Sequence, residues 1–169
     1  MKPKEDASAT ILVLTTGGTF DKIYFDAKST FEVGSSIVGR LLEQGQVKTP
    51  YEIIELMRKD SLDIDAADRV RIRDLIEESR FSRVVITHGT DTMTDTATAF
   101  TGLEGKTIVL TGALAPARFA ETDAIFNLGM AFAAVQTLPP GVYIAMNGTV
   151  FDAARVRKDR SVNAFVGTE

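Results

Sequence analysis

Short apolar runs alternate along the chain with segments that have helical spacing. The strongest runs cover residues 11–14, 84–86, 108–110 and 142–145, and a weaker run covers residues 51–57. In the strongest runs the apolar residues are continuous rather than alternating with polar ones, which is typical of strands covered on both faces. These runs therefore predict the strands of a parallel sheet.

The segments between the runs predict helices over residues 36–43, 65–80, 92–103 and 121–136, and Leu138-Pro-Pro-Gly ends the last of them. Strands and helices then alternate along the chain. This order predicts an α/β fold, namely a doubly wound, mostly parallel open sheet with helices on both faces. Ligands of such sheets bind beyond the carboxyl ends of the strands, so the segments that follow the strands are the place to expect chemistry.

Length and termini predict one domain over residues 1–169, with residues 1–9 as a flexible tail. The polar start of the chain is followed only by a short apolar stretch at residues 11–16, too short for a signal peptide or a membrane span. If the chain is the whole gene product, we therefore expect a cytoplasmic protein that does not bind membranes.

The ionisable residues narrow the possible functions. There are 19 Lys and Arg against 23 Asp and Glu, and the net charge of −4 argues against nucleic acid as a partner. The chain has no Cys and a single His, which excludes thiolate zinc sites, iron–sulfur clusters and metal sites built from several histidines. Catalysis would have to use hydroxyls, carboxylates, Lys or Tyr.

Two polar segments follow predicted strands: Thr-Thr-Gly-Gly-Thr at residues 15–19 and His-Gly-Thr-Asp-Thr at residues 88–92. The first segment alone is typical of a turn, and both fingerprints of phosphate-binding loops are absent. Together the segments bring hydroxyls, a carboxylate and backbone amides freed by glycine to one sheet edge. These are the groups that nucleophilic acyl transfer requires.

A Ser61–His88–Asp91 triad is an alternative, although the G-x-S-x-G nucleophile elbow is missing and two of its members share one short loop. A structural role for His88, hydrogen-bonded at the end of its strand, is favoured over catalysis.

The two glycine-containing segments resemble those of a known protein family. Thr-Gly-Gly-Thr at residues 16–19, followed by Thr-His-Gly-Thr-Asp-Thr-Met at residues 87–93, is similar to the two signature segments of bacterial-type L-asparaginases. Further segments agree with this resemblance: Asp60-Ser61, residues 111–113, residues 126–128, and residues 146–152 leading to Lys158. It implies an asparaginase-like N-terminal catalytic domain and predicts a short, single-domain form without the family's smaller C-terminal domain.

The resemblance also implies catalytic roles. Thr19 would attack the side-chain amide carbon of asparagine to form an acyl-enzyme, and Tyr24 would close over the substrate and assist it. Thr90, Asp91 and Lys158 would form a second set of hydroxyl, carboxylate and amine. The neighbouring arginines favour a neutral Lys158 and a close Asp91 favours a charged one, an alternative that the sequence leaves open.

Substrate binding is implied for six residues: Gly18, Asp60, Ser61, Gly89, Thr90 and Asp91. Ser61 and backbone amides would hold the α-carboxylate of asparagine, and Asp91 would face its ammonium. The resemblance implies neither a metal nor an organic cofactor, and a symmetric homo-oligomer, either a dimer or a tetramer, is the expected assembly.

Two departures from the family predict weak binding of asparagine. Leu62 stands where members often have a polar residue, and the acidic group normally supplied by the C-terminal domain would have to come from Asp91, Asp152 or Glu169. Loss of one charge-assisted contact typically costs about 1.5–3 kcal/mol, so we expect a high Michaelis constant. Glutamine should be a poorer substrate, because its extra methylene displaces the amide carbon.

Simpler interpretations remain open for single residues. Asp91 could be a helix N-cap, Lys158 a solvated surface charge, and Tyr24 an aromatic residue packed within its loop near Phe20 and Phe25. For the whole chain, the alternatives are a non-catalytic domain that binds an amide or amino acid, an amidotransferase subunit with the same pocket, and a nucleotide-binding module.

Overall fold

The computed structural model describes residues 8–169, so most of the predicted tail at residues 1–9 lies outside the described residues. The strands are β1 (Ile11–Gly17), β2 (Lys22–Phe25), β3 (Thr30–Val33), β4 (Tyr51–Lys59), β5 (Arg83–Thr87), β6 (Thr107–Thr111), β7 (Gly141–Met146), β8 (Thr149–Asp152), β9 (Val156–Asp159) and β10 (Ala164–Gly167). The α-helices are α1 (Val38–Gln44), α2 (Ala66–Glu78), α3 (Met93–Thr98) and α4 (Ala124–Thr137).

A six-stranded open sheet in the order β4-β1-β5-β6-β7-β8 forms the centre of the molecule. All neighbours are parallel except β7 and β8, which pair antiparallel. The five predicted strands are the five parallel ones, so the prediction of a mostly parallel, doubly wound sheet is confirmed. The strand order reverses between β1 and β5, and in such sheets that point opens a crevice at the carboxyl ends of the strands.

The core has two layers, one on each face of the sheet. In β1, Ile11 and Val13 pack on the side of α1 and α4, whereas Leu12 and Leu14 pack on the side of α2 and α3. This arrangement explains the continuous apolar run, because both sets of alternate side chains are fully buried.

The predicted helices all exist, with shifted ends. The largest difference is α3, which ends at Thr98 instead of continuing to residue 103. Beyond it the chain continues in tighter turns, for example from the Thr101 amide to the Thr98 carbonyl, and Gly102 adopts a left-handed φ of 84°. In contrast, α2 begins at a capping box in which Asp65 and Asp68 each accept from the other's backbone amide.

Five strands of the described residues were not predicted from the sequence: β2 and β3, which form one hairpin, and β8, β9 and β10. They are short and mostly half-buried or exposed, so they lack the apolar runs that mark the central strands. One sequence feature could have predicted β8. Asn147 and Gly148, both left-handed, form the tight turn between β7 and β8, and Asn-Gly between apolar runs is the strongest short-range sign of a hairpin.

Within residues 8–169, no helix is both long enough and apolar enough to cross a membrane.

Candidate active site

Two glycine turns meet at the point where the strand order reverses. Gly18 follows β1 with φ of 71° and ψ of −169°, and Gly89 follows β5. A Cβ on Gly18 would overlap the backbone of Gly89, so the two main chains pack directly against each other. The turn that begins with Thr19 therefore lies beside the turn that contains Thr90.

A third turn joins this pair from the end of β4. A Cβ on Gly89 would lie 2.6 Å from the Cβ of Ser61, and Ser61 is only 2% exposed. Asp60 caps this turn by accepting from the Leu62 amide at 3.1 Å, and its other carboxylate oxygen lies 3.1 Å from Lys22 Nζ. Although partial burial works against it, these partners lower the pKa of Asp60. The Asp60 carboxylate thus shapes the turn that carries Ser61.

Lys158 reaches the same region from β9. Its Nζ donates to Thr90 Oγ1 at 2.7 Å and to Asp91 Oδ1 at 2.8 Å. The Lys158 side chain is only 12% exposed, and Thr90 is buried. The antiparallel pairing of β9 with β10 sets this placement, because Lys158 stands opposite the core residue Phe165.

Thr19 and Tyr24 follow the Gly18 turn along the chain. Thr19 begins a 3₁₀ turn, is half-buried, and its carbonyl accepts from the Lys22 amide. Tyr24 is on β2, is 51% exposed, and its ring packs against Phe31 of β3 with the centroids 5.3 Å apart. Tyr24 is therefore on the surface of a hairpin that starts immediately after the Thr19 turn.

The family of the chain follows from its similarity to known proteins. The family model for the N-terminal domain of asparaginases matches residues 10–167. The chain belongs to the asparaginase family. An L-asparaginase of Thermococcus kodakarensis is 30% identical over 166 residues, covering 92% of this chain and 50% of the relative. A glutaminase-asparaginase of Acinetobacter glutaminasificans is 28% identical over 174 residues, covering 92% of this chain and 52% of the relative.

Solved asparaginase structures have the same fold. The thermostable L-asparaginase from Thermococcus kodakarensis superposes with a TM-score of 0.79 at 28% identity, covering 94% of this chain and 51% of that one. L-asparaginase I from Vibrio cholerae gives 0.81 at 26% identity, covering 95% and 51%. The chain thus spans about half the length of the asparaginases it matches.

Two of the simpler interpretations prove wrong in this asparaginase fold. Asp91 is not a helix N-cap: the residue before α3 is Thr92, which makes no side-chain cap, and Asp91 pairs with Lys158 instead. Lys158 is not a solvated charge, since most of its side chain is covered. The packing suggested for Tyr24 is real but involves Phe31, and Phe20 belongs to the core.

His88 has the structural role favoured by the sequence. Its Nδ1 lies 2.7 Å from the Gly89 carbonyl and its Nε2 lies 2.8 Å from Thr96 Oγ1. Thr96 Oγ1 in turn accepts from Arg69 Nε at 3.1 Å. Complete burial lowers its pKa to about 4, so the ring is neutral at physiological pH. The Ser61–His88–Asp91 triad is therefore wrong, because both ring nitrogens are occupied by other partners.

Two charged residues next to the hairpin of β2 and β3, Asp21 and Arg118, were not predicted from the sequence. Asp21, two residues after Thr19, is 1% exposed, and burial raises its pKa to about 6. Arg118, in the loop between β6 and α4, donates to carbonyls at both ends of the hairpin. No sequence motif marks either residue. The one sign in the sequence was the position of Asp21, two residues after the candidate nucleophile Thr19.

Asp152 and Glu169, suggested as acidic partners of the substrate, are both exposed, and Asp152 caps its own turn by accepting from the Ala154 amide. Among the residues described, 8–169, no cluster of His, Asp and Glu side chains is placed to hold a metal ion.

Proposed function

We propose that this chain hydrolyses the side-chain amide of L-asparagine to L-aspartate and ammonia, with Thr19 as the nucleophile. The observation that carries the proposal is the contact of Lys158 Nζ with Thr90 Oγ1 and Asp91 Oδ1, beside the turn that begins with Thr19. A threonine hydroxyl is a weak nucleophile and needs nearby groups that accept its proton. The buried contact of Lys158 with the Thr90 hydroxyl would supply such groups, with the amine of Lys158 in its neutral form accepting the proton through Thr90.

In the first half of the reaction, the oxygen of Thr19 bonds to the amide carbon and its proton passes to the departing nitrogen, which leaves as ammonia. Water then attacks the ester, which releases aspartate and restores the hydroxyl. Thr90 and Lys158 would pass protons between these groups, and backbone amides of the glycine turns would stabilise the oxyanion. Loss of one such donor typically costs about 2.7–4 kcal/mol of transition-state stabilisation.

Substrate recognition would use the turns that converge on Gly89. Buried Ser61 and the amides near Gly18 and Gly89 suit the α-carboxylate, and Asp91 suits the ammonium, while Asp60 acts through the shape of its turn. Because Lys158 Nζ already occupies Asp91 Oδ1, less of this carboxylate is free for the ammonium of the substrate, and we expect weak affinity for asparagine. Leu62, which is 67% exposed, has no polar side-chain atom to offer the substrate.

The wider proposals follow from the same function. Glutamine would be a poorer substrate, the protein would work in the cytoplasm as a homo-oligomer, and it would need no cofactor. Sedimentation of the purified chain and ammonia release from each amide test the assembly and the selectivity.

The central test is ammonia release from asparagine by four variants. We expect Thr19→Ala and Lys158→Met to lower kcat by about a thousandfold or more, as removal of a nucleophile or its proton partner does. Arg157→Met is the matched control for Lys158, since Arg157 is the exposed neighbour on β9, and Thr98→Ala is the control for Thr19. Both controls should retain activity.

An active Thr19→Ala variant would contradict the mechanism. If the wild-type chain binds aspartate in calorimetry but releases no ammonia from asparagine, the chain is a binding domain and the proposed activity is wrong.

A further inference from the structure

The hairpin of β2 and β3 is closed at its base by one buried residue, Asp21. Asp21 immediately precedes β2, and its carbonyl accepts from the Gly34 amide just after β3 at 2.9 Å. Its side-chain Oδ1 accepts from the Ile37 amide at 3.0 Å. Asp21 thus contacts the chain that follows the hairpin at two points, Gly34 through its carbonyl and Ile37 through its carboxylate.

Arg118 bridges the same two ends from outside. Its Nη1 lies 3.4 Å from the Asp21 carbonyl, and its Nη2 donates to the Ser35 carbonyl at 3.0 Å. The preceding amide, of Ala117, donates to the Phe20 carbonyl at 3.1 Å. We call Asp21 and Arg118 together the hairpin clasp.

Asp21 of the clasp lies between the candidate catalytic residues Thr19 and Tyr24 along the chain. Thr19 and Asp21 are the ends of one 3₁₀ turn, closed by the Asp21 amide on the Gly18 carbonyl at 3.2 Å. Tyr24 lies three residues further on, in β2. Any rotation of the hairpin about its base would move Tyr24 relative to Thr19, and displacements of about 1 Å can reduce catalysis by about 100-fold.

We propose that Asp21 and Arg118 are positioning residues for amide hydrolysis, which fix the hairpin that carries Tyr24 against the turn that carries Thr19. This inference rests on the function proposed above. Neither residue touches the substrate; both act through the geometry of the hairpin.

The charges around Asp21 give the clasp a pH dependence. Burial raises the pKa of Asp21 to about 6, Arg118 and the hydrogen bonds from Ile37 and Ser36 oppose this rise, and the Glu55 carboxylate adds to it. Above this pH the ionised carboxylate accepts more strongly from the Ile37 amide and attracts Arg118. Burial penalises the ionised form more than these two interactions favour it, so protonation favours the closed clasp, which should tighten as the pH falls through 6.

The test compares wild type with Asp21→Ala, Asp21→Asn and Arg118→Gln. For Asp21→Ala and Arg118→Gln we expect kcat to fall about 10-fold or more while KM changes less than about threefold, because the groups that bind substrate are intact. Asp21→Asn keeps an acceptor for Ile37, so it should recover part of kcat and lose the pH dependence that Asp21 gives the wild-type rate near pH 6. Asp26→Asn is the control, since Asp26 is an exposed carboxylate of the same hairpin.

Hydrogen exchange of residues 22–33 provides a readout that does not depend on activity. Exchange there should accelerate in Asp21→Ala and Arg118→Gln but not in Asp26→Asn, with the central strands unchanged. If Asp21→Ala does not fold, the exposed Arg118→Gln variant decides the matter.

Unchanged kcat and unchanged hairpin exchange in Arg118→Gln would overturn the proposal. If the wild-type chain releases no ammonia, the proposed function fails by itself, and faster hairpin exchange in the variants still supports the clasp while unchanged exchange refutes it.

Discussion

At the scale of single residues, the site depends on two glycines that let main chains touch. Gly18 combines a left-handed φ of 71° with direct packing on Gly89, whereas Gly102 has a similar φ of 84° with no atom within 4 Å of the position of a Cβ. A side chain at Gly102 would cost stability only through its left-handed backbone, whereas one at Gly18 would also clash with Gly89.

We expect Gly102→Ala to lower the free energy of unfolding by about 1–2 kcal/mol, the usual cost of a left-handed conformation with a side chain. Gly18→Ala should cost more than this and should also abolish ammonia release, because the Thr19 turn must move away from Gly89. Urea unfolding and activity assays of both variants test this difference. Equal stability losses with full activity in both would contradict direct packing of the turns.

At the scale of elements, the position of Lys158 depends on the hairpin of β9 and β10, which was not predicted from the sequence. Phe165 stands opposite Lys158 across β9 and β10 and is 3% exposed, and its amide donates to Asn147 Oδ1 at 2.8 Å. The turn between β7 and β8 therefore anchors the hairpin that delivers the amine.

Phe165→Ala should lower the free energy of unfolding by about 3–5 kcal/mol, as loss of a buried phenyl ring does. At a temperature where the variant is folded, kcat should also fall, because the core no longer supports Lys158. Val162→Ala, at the exposed turn of the same hairpin, is the matched control and should change neither quantity appreciably. A destabilised Phe165→Ala with wild-type kcat would show that Lys158 does not need this support.

How far the sequence predicts an element depends on how its residues are buried. The run that became β1 was predictable because both faces are covered. The hairpin of β2 and β3 was not, because Tyr24, Phe25 and Phe31 are largely exposed and its closure depends on the distant Arg118.

At the scale of the whole molecule, two buried ionisable groups shift stability with pH in opposite directions. His88 has a pKa of about 4, so the unfolded chain binds more protons and stability falls as the pH drops from 6.5 to 4. Asp21 has a pKa of about 6 instead of 3.8, so the folded chain binds more protons and stability rises as the pH drops from 6 towards 3.8. Each effect amounts to roughly 3 kcal/mol at about 1.4 kcal/mol per pKa unit.

Between about pH 6 and 4.5 the two effects should nearly cancel in the wild type. Asp21→Asn should then lose stability as the pH falls through this window, and His88→Gln should gain it, each by up to about 1.4 kcal/mol per pH unit. Urea unfolding at half-unit steps of pH measures both slopes. Identical pH profiles for the wild type and both variants would contradict the assigned burial of these groups.

The sequence by itself determined the parallel sheet, its two covered faces and the segments that line its carboxyl edge. These features follow from local patterns: continuous apolar runs, helical spacing, and polar residues with glycines after the strands. The resemblance to asparaginases also implied roles for Thr19, Thr90, Asp91 and Lys158. Only the tertiary structure decided that Lys158 contacts Thr90 and Asp91, that Gly18 packs on Gly89, and that Asp21 and Arg118 close the hairpin. Those contacts join residues far apart along the chain, and no local pattern encodes which distant side chains the packing of the sheet brings together.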